Sequence, residues 1–408
     1  MTEPIRAELP GGVPAWILHR PGAGVTTVTL WTLTGSRYED EDLSGGTHLL
    51  EHVLMQAPLP GGGRPVDLLE ALGGEANAVT SRDHLVLYAR VPTSETLAAL
   101  DVLSRALTGP VITAEVLEAE RRVVQEELRL AASDPADVVH DLFFDVAFPG
   151  GALGRPVGGT AGSVGRMGLE ALRAHHARWV RAGTVAAVIC GGADPGALLR
   201  ALESGPLAAL PPAGPLPEPE RPRFGGGGRR TLALNSDSAG VVLGGRAVPY
   251  GDRLLPAWQV LMDLVADASS ALLTEEIRNR RGLSYDMWGF ANAYRDAGVW
   301  RAFVSTAPEN VGEVVDTAVA LLEERLGPGW TEEEAALAAR RTAGLFRLEA
   351  EESLEEALLY GRYGLLGGDP HWTLDGQVAA IRAVTSDDVL AALRTATDPL
   401  VIAIAGID

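Results

Sequence analysis

Apolar residues recur along the chain with two different periods, and the switches between them mark the expected elements. Gly24-Val-Thr-Thr-Val-Thr-Leu-Trp31 and His84-Leu-Val-Leu-Tyr-Ala-Arg-Val91 alternate with period two, which predicts strands with one buried face. Val185-Ala-Ala-Val-Ile-Cys190 is apolar throughout and predicts a buried strand. Between the strands lie helical patterns. From Thr113 to Ala131, Val116, Leu117, Val123, Val124 and Leu128 repeat at helical spacing, and Thr113 stands where it can cap the first turn. Strands with intervening helices indicate an α+β class, with sheets covered by helices on one face.

The pattern breaks once. From Gly205 to Gly228 the chain reads GPLAALPPAGPLPEPERPRFGGGG, and proline and glycine at this density hold neither a helix nor a central strand, so the segment reads as a linker. Domains are expected at residues 1–204 and 229–408, joined by residues 205–228. The two halves also resemble each other. Val164-Gly-Arg-Met-Gly-Leu-Glu-Ala-Leu-Arg173 precedes the Val185 strand and Gly-Gly-Ala-Asp194, while Val384-Thr-Ser-Asp-Asp-Val-Leu-Ala-Ala-Leu-Arg394 precedes a Leu400–Ala405 strand and Gly-Ile-Asp408. Two copies of one unit, each a mainly antiparallel sheet with helices, are therefore expected.

Composition narrows the function classes. Acidic residues outnumber basic ones 54 to 34, for a formal net charge of −20, which suits neither nucleic acid nor an anionic membrane. The chain contains no lysine, so every basic residue is arginine. P-loop nucleotide binding and Schiff-base or pyridoxal chemistry need the amine and are excluded. Cys190 stands alone, so no internal disulfide or cysteine-rich metal site is available, and it reads as core packing. The first residues carry no basic stretch followed by an apolar one, and no apolar run approaches the roughly 18 residues of a membrane helix. A cytoplasmic protein is expected.

The sharpest chemical signal is His48-Leu-Leu-Glu51-His52. On a helix, His48 and His52 are one turn apart on the same face, so both imidazoles can reach one cation. Glu51 projects near that face and can hydrogen-bond a water there, the place of a general base. Leu49, Leu50, Val53 and Leu54 flank this polar trio, and polar groups on an apolar helix need partners. Chance occurrence and a satisfied core histidine pair are the bland alternatives. A third ligand weighs against them. Glu120-Arg-Arg-Val-Val-Gln-Glu126-Glu127 lies in the Thr113–Ala131 helix, with Glu120 and Glu127 two turns apart. Taken alone, a glutamate there is more often solvated, but Glu127 would complete a two-histidine, one-glutamate site with an open position for water.

The His-x-x-Glu-His sequence is the signature of the inverted zincins, and nearly the whole chain resembles the insulinase/mitochondrial-processing-peptidase family in its compact two-domain bacterial form. The Glu120–Glu127 run resembles the family's distal segment, which implies Glu127 as zinc ligand and Glu120 as its support. Gly73-Gly-Glu-Ala-Asn77-Ala-Val-Thr80 resembles the family's substrate strand, which implies that Asn77, Ala78, Val79 and Thr80 take the peptide as an added strand. Phe148-Pro-Gly-Gly-Ala-Leu-Gly-Arg155-Pro-Val-Gly is similar to another family segment. In the second half, Ser269 to Tyr285 resembles the stretch carrying an Arg/Tyr pair seven residues apart. That implies Arg278 and Tyr285 as binders of the substrate carbonyl; on sequence alone they are a surface arginine and a strand tyrosine. Arg280 and Arg281 are neighbours from which register selects Arg278. After His52 the chain departs from the family with Val53-Leu-Met-Gln-Ala-Pro58, which affects the shape of the substrate pocket.

The resemblance implies a zinc endopeptidase with one Zn²⁺ per chain, active on unfolded peptides inside a dimer chamber. A homodimer is expected, or a heterodimer with a related subunit. The alternative is a non-catalytic or partner-dependent subunit, for example one dedicated to a single precursor peptide. Other candidates are weaker. Gly61-Gly-Gly-Arg64 reads as a turn before a helix at Pro65–Leu72, and no Gly-x-Ser-x-Gly occurs. His84 reads as structural, and His175 and His176, being adjacent, do not share a helix face. Trp258-Gln-Val-Leu-Met-Asp263 stands in the second half where the first has its histidines, and reads as core helix.

Overall fold

A computed structural model describes residues 3–212, 214 and 218–406. Positions 213 and 215–217 of the expected linker lie outside the described residues. The chain packs as two compact units: the first from the described residues of Met1–Leu128, Pro156–Glu220 and Glu349–Leu366, the second from those of Arg129–Arg155, Arg221–Leu348 and Gly367–Asp408.

The first unit holds β1 (Ile5–Glu8), β2 (Pro14–His19), β3 (Val25–Thr32), β4 (Glu75–Thr80), β5 (Leu85–Pro92) and β6 (Val185–Gly191) in the order β1-β2-β6-β3-β5-β4. The second holds β7 (Gly228–Leu232), β8 (Ala239–Ala247), β9 (Ser284–Ala293), β10 (Gly298–Thr306) and β11 (Val401–Ala405) in the order β7-β11-β8-β10-β9. Each sheet has one parallel pair, β2 with β6 and β7 with β11, and is otherwise antiparallel. Without β1 the two orders correspond strand for strand, so the repeat is one of topology. It leaves β4 and β9 as equivalent edges.

The units depart from a linear division of the chain, and the sheets show why. All of β3 after Val25 is buried, not one face only. Val28 and Leu30 pack into the core with Leu49, Val53 and Leu103. The opposite face meets the segment from Ser353 to Leu366: Thr27 Oγ1 lies 2.7 Å from Ser353 Oγ, and the Cys190 thiol donates to the buried Glu356 carboxylate at 3.0 Å. Arg20 joins that carboxylate through Nε at 2.7 Å. A sheet apolar on both faces needs cover on both, and the second half of the chain supplies it to the first unit. In the second unit the helix Pro135–Ala147 plays the same part, placing Val139, Phe143 and Phe144 against Val242, Phe303 and Ala403. Glycine permits both approaches. A Cβ on Gly361 would stand 2.1 Å from Trp31 Cζ2, and one on Gly244 would stand 2.6 Å from Phe143 Cε2.

Gly361→Ala sets two effects against each other. Helix propensity favours alanine by about 1 kcal/mol, while overpacking against Trp31 costs about 3 kcal/mol. The clash should win, lowering the unfolding free energy by about 2 kcal/mol in urea titrations with an unchanged m value. A gain in stability would show that the Trp31 ring yields freely.

Candidate functional site

The helix Gly46–Gln56 carries His48, Glu51 and His52. It starts abruptly from Gly45, whose φ of +86° suits glycine alone. The buried Glu39 carboxylate caps it, accepting from the Gly45 N–H at 2.8 Å and the Thr47 N–H at 2.6 Å. Leu49, Leu50, Val53 and Leu54 are buried in the core. They fix the helix rotation and leave the polar trio on the half-buried side.

A second helix, Ala114–Ala131, presents Glu120 and Glu127. Its first turn is capped as expected, with the Val116 N–H donating to Thr113 Oγ1 at 3.3 Å. The inward row differs from the expected one. Val123 is 45 % exposed, whereas Leu117, Arg121 and Val124 are buried. Arg121 donates to the carbonyls of Val164 at 2.8 Å, Gly165 at 2.7 Å and Met167 at 2.6 Å, at the end of the helix Ala161–Arg166. This anchor sets the rotation that turns Glu120 and Glu127 towards the histidines. Arg121 and Glu39 went unread in the sequence. For Arg121 the signal was present, a charge at i+4 from Leu117 and i−3 from Val124, inside an apolar row.

The ligand atoms of His48, His52 and Glu127 all lie within 4.8 Å of one another. Glu127 Oε2 is 3.3 Å from His52 Nε2 and 3.8 Å from His48 Nε2, and Glu120 Oε2 is 3.5 Å from His52 Nδ1. Burial, with the His52 charge second, lowers the His48 pKa to about 4, so its imidazole is neutral at pH 7 with a lone pair free to bind. Burial also pushes the Glu51 carboxyl above its ordinary value, opposed chiefly by the hydrogen bond from the Thr80 hydroxyl. His84 and His175 are neutral as well and stand outside this cluster, His84 beside the Trp31 ring and His175 with Nε2 3.1 Å from Thr47 Oγ1.

Thr80 ends β4, which among the described residues pairs with β5 alone and so stands at a sheet edge. Asn77 and Val79 are exposed there, Ala78 is buried, and the Ala78 N–H donates to Asn77 Oδ1 at 2.8 Å. In the second unit, Arg278 and the exposed Tyr285 come together, with the guanidinium carbon 5.3 Å from the ring centroid. They line a groove of about 630 Å³ with Asp237, Ser284, Thr306 and Asn310. Trp258, expected in a core helix, is fully buried in Leu255–Met262.

The family model for Insulinase (Peptidase family M16) matches residues 16–161, and that for the Peptidase M16 inactive domain matches residues 166–341. The chain belongs to the M16 peptidase family. Its M16 relatives include an uncharacterized zinc protease of Streptomyces coelicolor, 29 % identical over 400 residues that cover 95 % of this chain and 86 % of the relative. The beta subunit of the mitochondrial-processing peptidase of Lentinula edodes is 25 % identical over 399 residues, covering 93 % and 84 %. The solved structure of a peptidase M16 inactive domain from Pseudomonas fluorescens has the same fold, with a TM-score of 0.89 at 18 % identity over 100 % of this chain and 98 % of that one. No helix among the described residues is long and apolar enough to cross a membrane.

The neutral histidines give the metal-free protein a pH signature. Burial lowers His48 and His175 to about 4 and His84 to about 3, against 6.5 for an ordinary histidine. Below pH 6.5 the unfolded chain binds protons that the folded one does not, so stability should fall as the pH drops towards 4. Each histidine contributes up to about 1.4 kcal/mol per pH unit in that window. Urea unfolding with chelator at pH 7, 5.5 and 4.5 measures the trend, and a His48, His84 or His175 ring that titrates near 6.5 by NMR would contradict the buried neutral state.

Proposed function

We propose that this M16 protein is a zinc-dependent endopeptidase acting on extended, unfolded peptides. The convergence of His48, His52 and Glu127 beside Glu51 carries the reading, in a chain whose relatives include proteins named zinc proteases. The donors suit the ion. A tetrahedral zinc with bonds of about 2.1 Å keeps its donors about 3.4 Å apart, and the Glu127 oxygen lies 3.3 and 3.8 Å from the two imidazole nitrogens. His48 and His52 would bind through Nε2 and Glu127 through a carboxylate oxygen. Glu120, at His52 Nδ1, would hold that ring's tautomer and orientation.

Zinc, when bound, supplies a Lewis acid that acidifies water and polarises a carbonyl. Glu51 takes a proton at its carboxylate as water attacks the scissile carbon, then gives it to the leaving amine. A carboxyl lifted by burial suits both transfers. The free edge at Asn77, Ala78, Val79 and Thr80 receives the peptide backbone as a further antiparallel or parallel strand, which restricts substrates to segments already unfolded. Arg278 and Tyr285 donate to the carbonyl oxygens of the bound peptide. The protein works in the cytoplasm as a homodimer, without nucleic acid or membrane. A second reading, a partner-dependent subunit of a heterodimer devoted to one precursor peptide, draws on the likeness to a mitochondrial-processing peptidase subunit.

Zinc content and cleavage of a fluorogenic peptide library test the proposal together. The wild type should carry about one zinc per chain and cleave. Glu51→Gln should keep the metal and lose roughly 10³-fold in kcat, and Glu127→Gln should lose the metal. Zinc without cleavage in the wild type would favour the partner-dependent reading. A wild type that binds no zinc would remove the enzyme reading altogether.

A further inference from the structure

We infer that Thr80 is the positioning residue for Glu51: its hydroxyl holds the carboxylate of the base in the orientation that proton transfer needs. The inference rests on the peptidase reading and assigns to the Thr80 side chain a task separate from the backbone pairing of its strand. Glutamate has three rotatable bonds beyond its Cα, and a half-buried carboxylate without a donor would sample several of them. Here one oxygen, Oε2, accepts a hydrogen bond from Thr80 Oγ1. With Oε2 held, the other oxygen is left to meet the proton.

The position of Thr80 in the sheet gives the contact a further use. Thr80 is the last residue of β4, in register with Leu85 on β5. The helix that carries Glu51 packs beside this strand, which among the described residues has no strand on its other side. A peptide paired along β4 would therefore lie in register with the residue that aims the base. The strand sets where the scissile bond falls and, through one hydroxyl, where the proton acceptor stands. Catalytic geometry is sensitive at this scale, since a displacement of about 1 Å can cost 10²-fold in rate.

Thr80→Val keeps the shape and strand preference of threonine and removes only the hydroxyl, while Thr80→Ser keeps the hydroxyl. The expected result for Thr80→Val is a kcat lowered roughly 10- to 100-fold, with KM and zinc content unchanged. Thr80→Ser should recover most of kcat. Affinity for a peptidyl hydroxamate, whose hydroxyl shares its proton with the base, gives a readout without turnover and should weaken about tenfold in Thr80→Val. A Thr80→Val protein with wild-type kcat and hydroxamate affinity would overturn the inference. So would a rise in KM alone, which would leave Thr80 a mere strand contact, or a failure of serine to rescue. If the wild type binds zinc but does not turn over, hydroxamate affinity decides. If it binds no zinc, the peptidase reading falls first and this inference with it, which is distinct from a failure of Thr80 alone.

Discussion

Placing two imidazoles and a carboxylate side by side in a half-buried setting has an electrostatic cost, and the first unit is organised around it. Neutral histidine avoids that cost while keeping a lone pair, and burial holds His48 in that form. Glu127 remains exposed at its outer side, so its charge keeps contact with water while one oxygen faces both rings. Such a set of donors can stand side by side in the folded protein without packing like charges together.

Holding the donors there falls to residues that touch none of them. Glu39 caps the histidine helix through the backbone, and Arg121 anchors the glutamate helix through the carbonyls of a third helix. Each fixes a rotation, and a helix face is a matter of rotation: a turn of about 100° per residue would carry a donor out of reach. Behind the histidine helix the sheet is held from its far face by the segment from Ser353 to Leu366, with Glu356 buried against Arg20 and Cys190. The donor cluster thus depends on a segment about 300 positions later in the chain.

The repeat shows how the same frame is used without these donors. In the second unit the helix equivalent to the histidine helix presents Trp258 to the core, and at its end the buried Asp263 carboxylate accepts from Arg341 Nε at 2.7 Å. Arg341 lies on Glu332–Glu349, the counterpart of the glutamate helix. An ion pair leaves its charges satisfied and nothing open to a cation, whereas the first unit leaves three donors facing one another. The match of this half to the family's inactive domain accords with that chemistry. Its edge strand β9 instead begins with Ser284 and the exposed Tyr285, beside Arg278.

Much of this was legible along the chain because it depends on local spacing. Helical period brought His48, Glu51 and His52 to one face, alternation marked β3 and β5, and the two similar strand-ending segments pointed to a repeat. Other features could not be read that way. Val123 and Arg121 lie about 200° apart on the helix, and only the carbonyls at the end of another helix settle which of them faces inward. The second buried face of β3 hides in threonines, residues that look solvent-facing until Ser353 closes over Thr27 and Gly361 over the neighbouring Trp31. Thr80 read as part of a strand, and its hydroxyl found Glu51 only when sheet and helix met. Periodicity is a property of neighbours in sequence and survives in any fold that forms the element. Partners far apart in the chain are chosen by packing, which must satisfy every buried polar group at once and so cannot be read from any one segment.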